Sequence, residues 1–569
     1  MLALGLGGSN HDFSAALVEN GEIAVGIEEE RLARRKYAVN VNSLANQCWR
    51  YCLETHGVRL ADVEAIVADD TLLPSCYFPF RSRTTLIRHH MAHAASAFYP
   101  SPFPEAAILV VDGAGSLYDE EQGIETMTLS VGSGTEITEI SKVYGKNWST
   151  DGLRSDRVYQ AGDSDHSLGF MYKAVSKAIG FTLYEAGDWY LTEDGKTMGL
   201  APYGTDRYRA EFRRHLDLLP EGRFELHLRS GGLLNFVEHA LDGLEGEERF
   251  TRGADLAWAA QDLLETAVLH AAHWLHRETG LTRLCLAGGV VLNSVANGKI
   301  LRDTPFTDVF AQPAAGDNGC AVGCAYYGYH VLGEQPRPRG PKAPAGSPRP
   351  QRHTYLGRRY TTEEIQAALD ASGLPYRRVA EPARLAAELL PQGSLIGWFT
   401  GGSEFGPRAL GHRSILADPR RAEMKDILNS KVKHREWFRP FAPAVLAERA
   451  SEYFDLDIES PYMLIVAPVR EDKRQEVPAI THVDGTARVQ TLTAEANGPF
   501  HALVERFGEI TSVPVVLNTS FNDRGEPIVE TPEQALAFFG PSQLDYLFLE
   551  DFLVGHSTTD LDTATGAAE

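Results

Sequence analysis

Apolar runs separated by glycine-rich loops mark the start of the chain. Leu2–Leu6 is apolar, the glycine-rich and polar residues 7–12 follow, and Ser14–Val18 is apolar again. Asn20-Gly21 is a dipeptide typical of tight hairpin turns, and Glu22–Ile27 has the residue pattern of another strand. The pattern predicts a strand, a loop, a strand, a turn and a strand, in that order.

The same order of elements returns from residue 106 onwards. Ala106–Val111 is apolar, Asp112-Gly113-Ala114-Gly115 is a glycine-rich loop, and the predicted strands Glu125–Val131 and Glu136–Val143 flank the turn Gly132-Ser133-Gly134. This repetition predicts an internal duplication, with two unrelated hairpins as the alternative. Such duplicated units are typical of actin-like ATPases, in which two glycine-rich turns hold nucleotide phosphates through backbone N–H groups.

Longer amphipathic segments in the first half of the chain predict helices. These helices are expected at Asn42–His56, Arg81–Tyr99, Ser167–Ile179 and Asp255–Glu278. A strand at Arg283–Leu286 then runs into a second glycine-rich stretch that contains Gly288 and Gly289.

A change of composition divides the chain. Residues 333–357 are rich in Pro, Gly and Arg without apolar periodicity, which predicts a semi-rigid linker between domains at residues 1–332 and 358–556. The tail, residues 557–569, is expected to be frayed. The second domain is expected to be mixed α/β, with helices and strands at Thr361–Ser372, Ala383–Leu390, Ser394–Trp398, Met463–Val469 and Ser512–Leu517. Pro514 favours an edge position for the last strand, because proline has no N–H to donate.

Composition and charge exclude several classes of protein. The 569 residues are 43% hydrophobic and 23% charged, which is typical of globular domains and not of disordered or fibrous chains. The net charge of −23 argues against nucleic-acid binding and against adhesion to anionic membranes. Six cysteines without a C-x-x-C pair predict buried thiols in a reducing compartment. Without a signal peptide pattern or a long apolar run, we expect a soluble cytoplasmic protein.

Two histidines and two aspartates have the pattern of a metal site. His89 and His93 are four residues apart, so a helix would place both imidazoles on one face. Asp112 closes an apolar strand, and Asp317 lies in a loop between glycines. Two imidazoles with one or two carboxylates and no thiolate suit Fe(II), Mn(II) or Zn(II). The alternative for the aspartates is to stabilise turns beside glycine.

Cations gather in one stretch of the second domain. The segment GPRALGHR, which contains Arg408, is followed by Lys431, Lys433, His434, Arg435 and Arg439. Arginine forks bind phosphate and carboxylate oxygens, and the neighbouring aromatic residues and prolines favour a packed anion site over a solvated basic face. Asn518 and Ser520 follow an apolar run and could donate to the same anion.

Two further features of the first domain suggest a nucleotide site with a base. The stretch from Gly288 and Gly289 to Asn293 would let a ligand approach the backbone closely and offers an amide to a ribose or a base. His11 lies in the first glycine-rich loop, where an imidazole could act as a general base, although loop histidines are more often only exposed.

These segments occur together in one family. The chain resembles the O-carbamoyltransferases of natural-product biosynthesis in an ordered series of motifs from His11 to about Ala535. The matching segments are SNHDFSAAL, EEERLARRK, HHMAHAASAFYPSPF, VVDGAG, GKTMGLAPYG, LAGGVVLN, GDNGCAVGCA, FGPRALGHRSILADPR, KHREWFRPFAP and VLNTSFNDRGEPIVETPEQA.

The resemblance implies an α/β enzyme with a duplicated actin-like (Kae1-like) first domain and a YrdC-like second domain. The second domain would form carbamoyladenylate from carbamoyl phosphate and ATP, and the first would transfer the carbamoyl group to a hydroxyl. The metal, Fe(II) or another divalent ion, would be held by His89, His93, Asp112 and Asp317, with Mg(II) accompanying ATP. His11 would be the base. Ligands would be held by Gly288, Gly289, Asn293, Arg408, Arg439, Asn518 and Ser520, with Lys36 near the adenylate.

The implied partners are ATP, carbamoyl phosphate and a small alcohol acceptor. The chain departs from the family pattern at Gly8-Ser9-Asn10, at Lys36-Tyr37 and at His412. The first two departures lie where an acceptor could bind, so the sequence leaves the acceptor open, and it leaves open the oligomeric state, a homodimer included. Two alternative functions are tRNA modification of the threonylcarbamoyladenosine type and non-catalytic nucleotide binding.

Overall fold

The computed structural model describes residues 1–9, 11–38, 41–118, 123–146, 164–186, 189–340, 343–344 and 347–566. The chain forms two compact units: Met1–Glu29 with Tyr37–Gln351, and Glu30–Lys36 with Arg352–Glu569. These boundaries differ from the predicted ones in two ways. Most of the expected linker belongs to the first unit, and a short segment near the N-terminus belongs to the second unit.

The first unit begins with a five-stranded sheet. Its strands are β1 (Leu2–Gly7), β2 (Ser14–Glu19), β3 (Glu22–Glu28), β4 (Ala65–Asp69) and β5 (Thr84–Ile87), in the order β3-β2-β1-β4-β5. The hairpin strands pair antiparallel, whereas β1, β4 and β5 run parallel. Asn20 and Gly21 both have positive φ, as the hairpin between β2 and β3 requires.

A second sheet in the same unit repeats this arrangement. The next strands along the chain are β6 (Glu105–Val111), β7 (Leu117–Tyr118), β8 (Gly123–Ser133), β9 (Glu136–Lys146), β10 (Thr182–Ala186), β11 (Trp189–Thr192), β12 (Leu216–Leu218), β13 (Phe224–Leu226), β14 (Arg283–Ala287) and β15 (Asp308–Ala311). From β9 through β8, β6 and β14 to β15, the pairing is again antiparallel, antiparallel, parallel and parallel. The predicted duplication is therefore confirmed.

Helices cover the sheets of the first unit. They are α1 (Glu29–Ala33), α2 (Cys48–His56), α3 (His89–Phe98), α4 (Leu168–Ile179), α5 (Asp194–Leu200), α6 (Arg209–Arg213), α7 (Leu233–His239), α8 (Gly246–Thr279), α9 (Ser294–Asp303) and α10 (Cys320–Tyr327). The last residues of α1 belong to the second unit. No helix in the described ranges combines the length and apolar character that a membrane span requires.

The second unit contains one mixed sheet of nine strands. Its strands are β16 (Tyr376–Arg378), β17 (Ile396–Phe399), β18 (Arg413–Ala417), β19 (Ala442–Leu446), β20 (Ile465–Pro468), β21 (Thr486–Leu492), β22 (Val515–Ser520), β23 (Tyr546–Leu549) and β24 (Phe552–Val554). Its helices are α11 (Thr362–Ser372), α12 (Pro382–Leu389), α13 (Met424–Ile427), α14 (Ala450–Tyr453), α15 (Ala494–Thr511), α16 (Pro532–Phe539) and α17 (Thr558–Gly566).

Two helices of the first unit start later than predicted. The segment from Asn42 forms a short 3₁₀ turn, and Asn46 is extended and donates to the Cys76 carbonyl, so α2 begins only at Cys48. The expected helix Arg81–Tyr99 divides into β5 and α3, because its β-branched start, Thr84–Ile87, pairs parallel with β4. Strand β4 was not predicted, because its five residues are too few and too uniformly buried to show alternating apolar and polar positions.

The predicted edge position of the strand near Pro514 is wrong. Strand β22 lies inside the sheet, between β18 and β19. Pro514 precedes the first residue of the strand, Val515, so its missing N–H removes no hydrogen bond from the ladder.

The first part of the expected linker contacts the end of α3 through two arginines, Arg337 and Arg339. The Arg337 guanidinium donates to the carbonyls of Tyr99 (3.0 Å), Phe103 (2.8 Å) and Ser101 (3.1 Å) and lies over the Phe98 ring. These carbonyls follow the last turn of α3, where backbone acceptors lack partners within the helix. The side chain therefore closes the end of α3, which explains why a proline-rich segment is fixed here.

The tail is a helix where fraying was predicted. Helix α17 buries Leu561 and Ala564 in the core of the second unit, with Phe548 and Leu553. Two apolar residues were too few to predict a helix from the sequence. Because they are three positions apart, however, a helix places both on one face.

We expect Leu561→Ala to lower the free energy of unfolding of the second unit by about 2–5 kcal/mol, because it removes a fully buried side chain. Denaturant-induced unfolding followed by fluorescence measures this. Thr563→Ala, on the exposed face of the same helix, is the control and should change little. Equal effects of the two substitutions would contradict the docked tail.

Candidate active site

Ionisable side chains of the first unit gather where its parallel strands end. Asp69 is the last residue of β4, and Asp112 comes directly after β6. His89 opens α3 two residues after β5 ends, and His93 lies one turn further along this helix. The carboxyl ends of parallel strands are where α/β sheets bind ligands, so the topology places reactive groups at such an edge.

Four side chains form one cluster: those of His89, His93, Asp112 and Asp317. The His89 Nε2 lies 3.2 Å from Asp112 Oδ2, 3.1 Å from His93 Nε2 and 3.7 Å from Asp317 Oδ1. One atom of each side chain lies within 4.8 Å of the others. The structure therefore brings together all four residues that the sequence singled out as metal ligands.

The electrostatics of the cluster suit a cation. Burial opposes ionisation of Asp112, but the hydrogen bond with His89 and the charge of His93 hold the pKa of this carboxyl well below its usual range. Burial and the charge of His89 lower the pKa of His93 to about 4, which leaves its imidazole neutral. Burial and the charge of Asp112 raise the pKa of Asp317. An ionised carboxylate, a neutral imidazole and a repelled second carboxylate fit a divalent ion.

Cys320 forms an alternative cluster with the same two histidines. Its Sγ lies 4.0 Å from His89 Nδ1, which is the ring nitrogen remote from the two carboxylates of the cluster. Burial raises the pKa of this thiol well above its ordinary value, so it stays protonated. The donor set on the Nε2 side therefore contains no thiolate.

The glycine-rich stretch after β14 supports Asp112. Gly288 has a φ of +97°, and a Cβ there would lie 2.2 Å from the Val111 carbonyl oxygen. Gly289 N–H donates to Asp112 Oδ1 at 2.9 Å. Asn293 is buried, caps α9 by accepting from Ala296 N–H, and donates to Gln261 Oε1. The structure thus gives these residues structural roles, and their contact with a nucleotide stays a prediction.

His11 lies in the loop that follows β1. Its Nδ1 is 3.3 Å from Asp12 Oδ2, and a fifth of its side chain is exposed. Burial works to lower the pKa of this imidazole, but the hydrogen bond and the charge of Asp12 raise it above the usual histidine value. The pair resembles a base with an orienting carboxylate, as general acid–base chemistry requires.

A separate site in the second unit is built around the loop of Arg408. Glu404, which is fully buried, accepts the N–H groups of Leu410 (2.7 Å) and His412 (2.9 Å) through Oε1. Arg31, from the short N-terminal segment of this unit, donates to the Gly406 carbonyl at 2.6 Å. These bonds fix the backbone on both sides of Arg408.

His412 and Arg413 of the same motif are structural. The His412 ring stacks on Tyr355 with centroids 3.3 Å apart, and its Nδ1 bonds to the Gly402 carbonyl at 2.8 Å. Arg413 donates to the carbonyls of Thr400 and Gly401 and lies over the Phe399 ring. Only Arg408 of the motif's two arginines is half-exposed and so accessible to a ligand.

Several cations converge near Arg408. Arg488, on β21, is half-buried, and its removal from water together with the positive charges of Arg408, Arg435 and Arg439 lowers its pKa well below the arginine value. Its Nε is enclosed and has no hydrogen-bond partner among the described residues. Guanidinium groups that repel one another favour the binding of an anion between them.

Lys433 adds a further positive charge and orders one wall of this site. It donates to the carbonyls of Ser520 (2.9 Å) and Asn522 (2.7 Å). Burial, with the charges of Arg435, Arg439 and Lys36, lowers the pKa of Lys433 well below its ordinary value. Lys36 therefore lies close enough to add to the positive field, within the same unit.

Asn518 and Ser520 lie on β22 beside this turn. Asn518 donates to the Ala409 carbonyl at 3.2 Å and to Gln490, and its Oδ1 is enclosed without a partner in the described part of the chain. Ser520 Oγ lies 2.5 Å from Asn522 Oδ1. The structure thus brings the two residues predicted from the NTSFN segment to the edge of the cationic cluster.

Comparison with known proteins identifies the family. The Carbamoyltransferase N-terminus model matches residues 72–326, and the Carbamoyltransferase C-terminus model matches residues 387–556. The chain belongs to the carbamoyltransferase family. It is an enzyme of the carbamoyltransferase class, as the family and its O-carbamoyltransferase relatives establish.

Three relatives illustrate the range of this family. The chain is 36% identical to an uncharacterized protein of Synechocystis, over 97% of this chain and 96% of that protein. It is 36% identical to nodulation protein NolNO of Sinorhizobium fredii, over 96% of this chain and 79% of that protein. It is 30% identical to the 3'-hydroxymethylcephem-O-carbamoyltransferase of Streptomyces clavuligerus, over 64% of each chain.

Sequence reasoning missed three residues of this carbamoyltransferase that the structure places at the sites. Asp69 contacts His89, and its signal was an acid at the end of an apolar run. Arg488 alternates with apolar residues in β21 and gave no sign of its position beside Arg408. Glu404 lies in the matched motif, but only the fold shows that it holds the loop.

We expect inorganic phosphate to raise the melting temperature of this carbamoyltransferase, because an anion relieves repulsion among the half-buried guanidinium groups. At 100 times its dissociation constant, an anion that binds only the folded state adds about 2.7 kcal/mol. Arg488→Met should melt higher than wild type without phosphate and gain less from it. Calorimetry at matched ionic strength measures both quantities.

The control for this experiment is Arg524→Met, which removes a largely exposed arginine near Glu436. It should keep the full response to phosphate. A full response in Arg488→Met as well would show that Arg488 does not bind the anion.

Proposed function

We propose that this enzyme is an ATP-dependent O-carbamoyltransferase that acts in two half-reactions. The second unit forms carbamoyladenylate from carbamoyl phosphate and ATP. The first unit transfers the carbamoyl group to a hydroxyl of a small natural product. The observation that supports this division is the presence of two unlike sites: cations that lower the pKa of Arg488 in one unit, and a histidine–carboxylate cluster in the other.

The first half-reaction activates a poor electrophile. Water releases phosphate from carbamoyl phosphate and leaves carbamate, with Arg408, Arg439 and Ser520 holding the anionic oxygens. A carbamate oxygen then attacks the α-phosphorus of ATP, and the bond to pyrophosphate breaks. Lys36, beside Lys433, adds positive charge where the adenylate forms. The guanidinium groups stabilise charge that develops on phosphoryl oxygens, as in other phosphoryl transfers.

The second half-reaction transfers the carbamoyl group. His11 takes the proton of the acceptor hydroxyl, whose oxygen attacks the carbamoyl carbon, and the bond to AMP breaks. Asp12 orients the imidazole and stabilises its protonated form. Gly289 donates to Asp112, and it would border the nucleotide together with Gly288 and Asn293.

The histidine–carboxylate cluster would hold a divalent ion. His89, His93, Asp112 and Asp317 offer two imidazole and two carboxylate donors, which suits Fe(II) and related ions. When bound, such an ion supplies positive charge that neutralises the nucleotide phosphate. Mg(II) would accompany ATP in the first half-reaction. The acceptor of the cephem relative is named by its hydroxymethyl group, which supports an alcohol as the acceptor class here.

Arg408→Ala should slow carbamoyladenylate formation roughly 10- to 150-fold, because a lost bond to a charged group costs about 1.5–3 kcal/mol. The same variant should still transfer the carbamoyl group from carbamoyladenylate that is supplied ready-made. Pyrophosphate release and product formation measure the two half-reactions separately.

Arg421→Ala, at an exposed position of the same unit, is the control and should keep both half-reactions. If a well-folded Arg408→Ala protein loses both half-reactions, or retains both, the division of labour is wrong.

His11→Asn should leave pyrophosphate release largely intact while transfer to the alcohol falls roughly 100- to 10,000-fold, the contribution typical of a general base. Asparagine is close to histidine in size but cannot accept the proton. The transfer rate of the wild type should fall as the pH drops through the raised pKa of His11, because only the neutral imidazole acts as a base.

His56→Asn is a matched control, since His56 also pairs with a carboxylate, that of Glu19, in the same unit. It should transfer at the wild-type rate. Transfer by His11→Asn within about threefold of wild type, below the smallest effect expected of a base, would exclude His11 and make Asp12 the next candidate.

A further inference from the structure

A buried aspartate lies behind one of the two clustered histidines. Asp69 is fully buried at the end of β4, and its Oδ2 lies 2.8 Å from His89 Nδ1. Its other oxygen accepts the N–H and the hydroxyl of Thr71, each at 2.8 Å. The carboxylate is thus held from both sides, and its position relative to the imidazole is fixed.

This contact determines which nitrogen of His89 becomes free to bind a metal ion. With a carboxylate at Nδ1, the imidazole carries its proton there and donates it to Asp69. The Nε2 atom points towards Asp112 and Asp317, so it is the nitrogen that would give up its proton when a metal ion binds. An imidazole held in this way is oriented and is a stronger donor to a metal ion.

The second histidine has no comparable support. His93 Nδ1 is enclosed and has no hydrogen-bond partner among the residues that the structure describes. Its Nε2 lies in the cluster, 3.9 Å from Asp112 Oδ2. The two imidazoles are therefore unequal, and the orientation of the pair depends on the side that Asp69 fixes.

We propose that Asp69 is a positioning residue that sets the metal affinity of this cluster by holding His89 in the tautomer with a free Nε2. The proposal rests on the metal site under Proposed function and deepens it. Asp69 contacts no ligand itself and acts through His89.

Asparagine at position 69 tests this role sharply. All three groups around the Asp69 carboxylate present a hydrogen: His89 Nδ1, the Thr71 N–H and the Thr71 hydroxyl. The asparagine amide must turn its NH₂ group either towards His89 or towards Thr71. If the NH₂ group faces His89, it donates to Nδ1 and favours the tautomer with the proton on Nε2. That proton blocks the binding of a metal ion. Loss of such a supporting group typically weakens metal binding 10- to 100-fold.

The experiment measures Co(II) binding to the full chain by calorimetry. We expect wild type to bind one ion and Asp69→Asn to bind it roughly 10- to 100-fold more weakly. Asp255→Asn is the matched control, since Asp255 is another buried carboxylate of the same unit. It accepts the N–H and the hydroxyl of a threonine, Thr205, as Asp69 does from Thr71. The affinity of this control variant for Co(II) should stay within about threefold of wild type, which is less than the loss expected for Asp69→Asn.

The outcomes separate this proposal from the one on which it rests. If wild type binds no Co(II), the metal site is wrong, and the role of Asp69 is wrong with it. If wild type binds and Asp69→Asn binds within about threefold of it, the metal site stands and the role of Asp69 is refuted.

A second measurement needs no variant and so remains decisive if Asp69→Asn does not fold. In the Zn(II)-loaded wild type with ¹⁵N-labelled histidine, the His89 resonances should show a proton on Nδ1 and the metal on Nε2. A proton on Nε2, or metal on Nδ1, would overturn the proposal.

Discussion

The parallel pairing of β6 with β14 is the constraint on which the first site depends. It brings the turn after β14 so close to the end of β6 that a Cβ at Gly288 would lie 2.2 Å from the Val111 carbonyl oxygen. The next N–H, that of Gly289, then reaches Asp112 Oδ1, while Asp112 Oδ2 faces His89. One buried carboxylate thus joins the second sheet to the helix that carries both histidines.

The helix of the histidines is fixed at both of its ends. At its start, the Ser116 hydroxyl accepts the His89 N–H at 2.8 Å and donates to Asp70. At its end, Arg337 from the proline-rich segment closes the unpaired carbonyls. Contacts at both ends hold this ten-residue helix in place. His89 and His93 therefore face Asp112 and Asp317 in a fixed arrangement.

The second site differs from the first because it brings positively charged side chains close together. The positive charges of Arg408, Arg435 and Arg439 lower the pKa of Arg488, and the charge of Arg439 also lowers that of Arg435. Lys433 donates to backbone carbonyls in the same unit. The surrounding fold holds these cations in place, as Glu404 does for the backbone around Arg408. An anion would offset this repulsion, which is consistent with the phosphorylated substrate that we propose.

The sequence alone determined the local elements, the duplication and most of the candidate ligands, because glycine-rich turns, apolar runs and the H-x₃-H spacing are short-range patterns. It also carried the motifs of the family over nearly the whole chain. Only the tertiary structure decided the unit boundaries, the docked tail helix, the inner position of β22 and the supporting roles of Asp69, Glu404 and Arg488. Each of these depends on groups that are distant along the chain, and contacts between distant segments leave no periodic pattern in a single sequence.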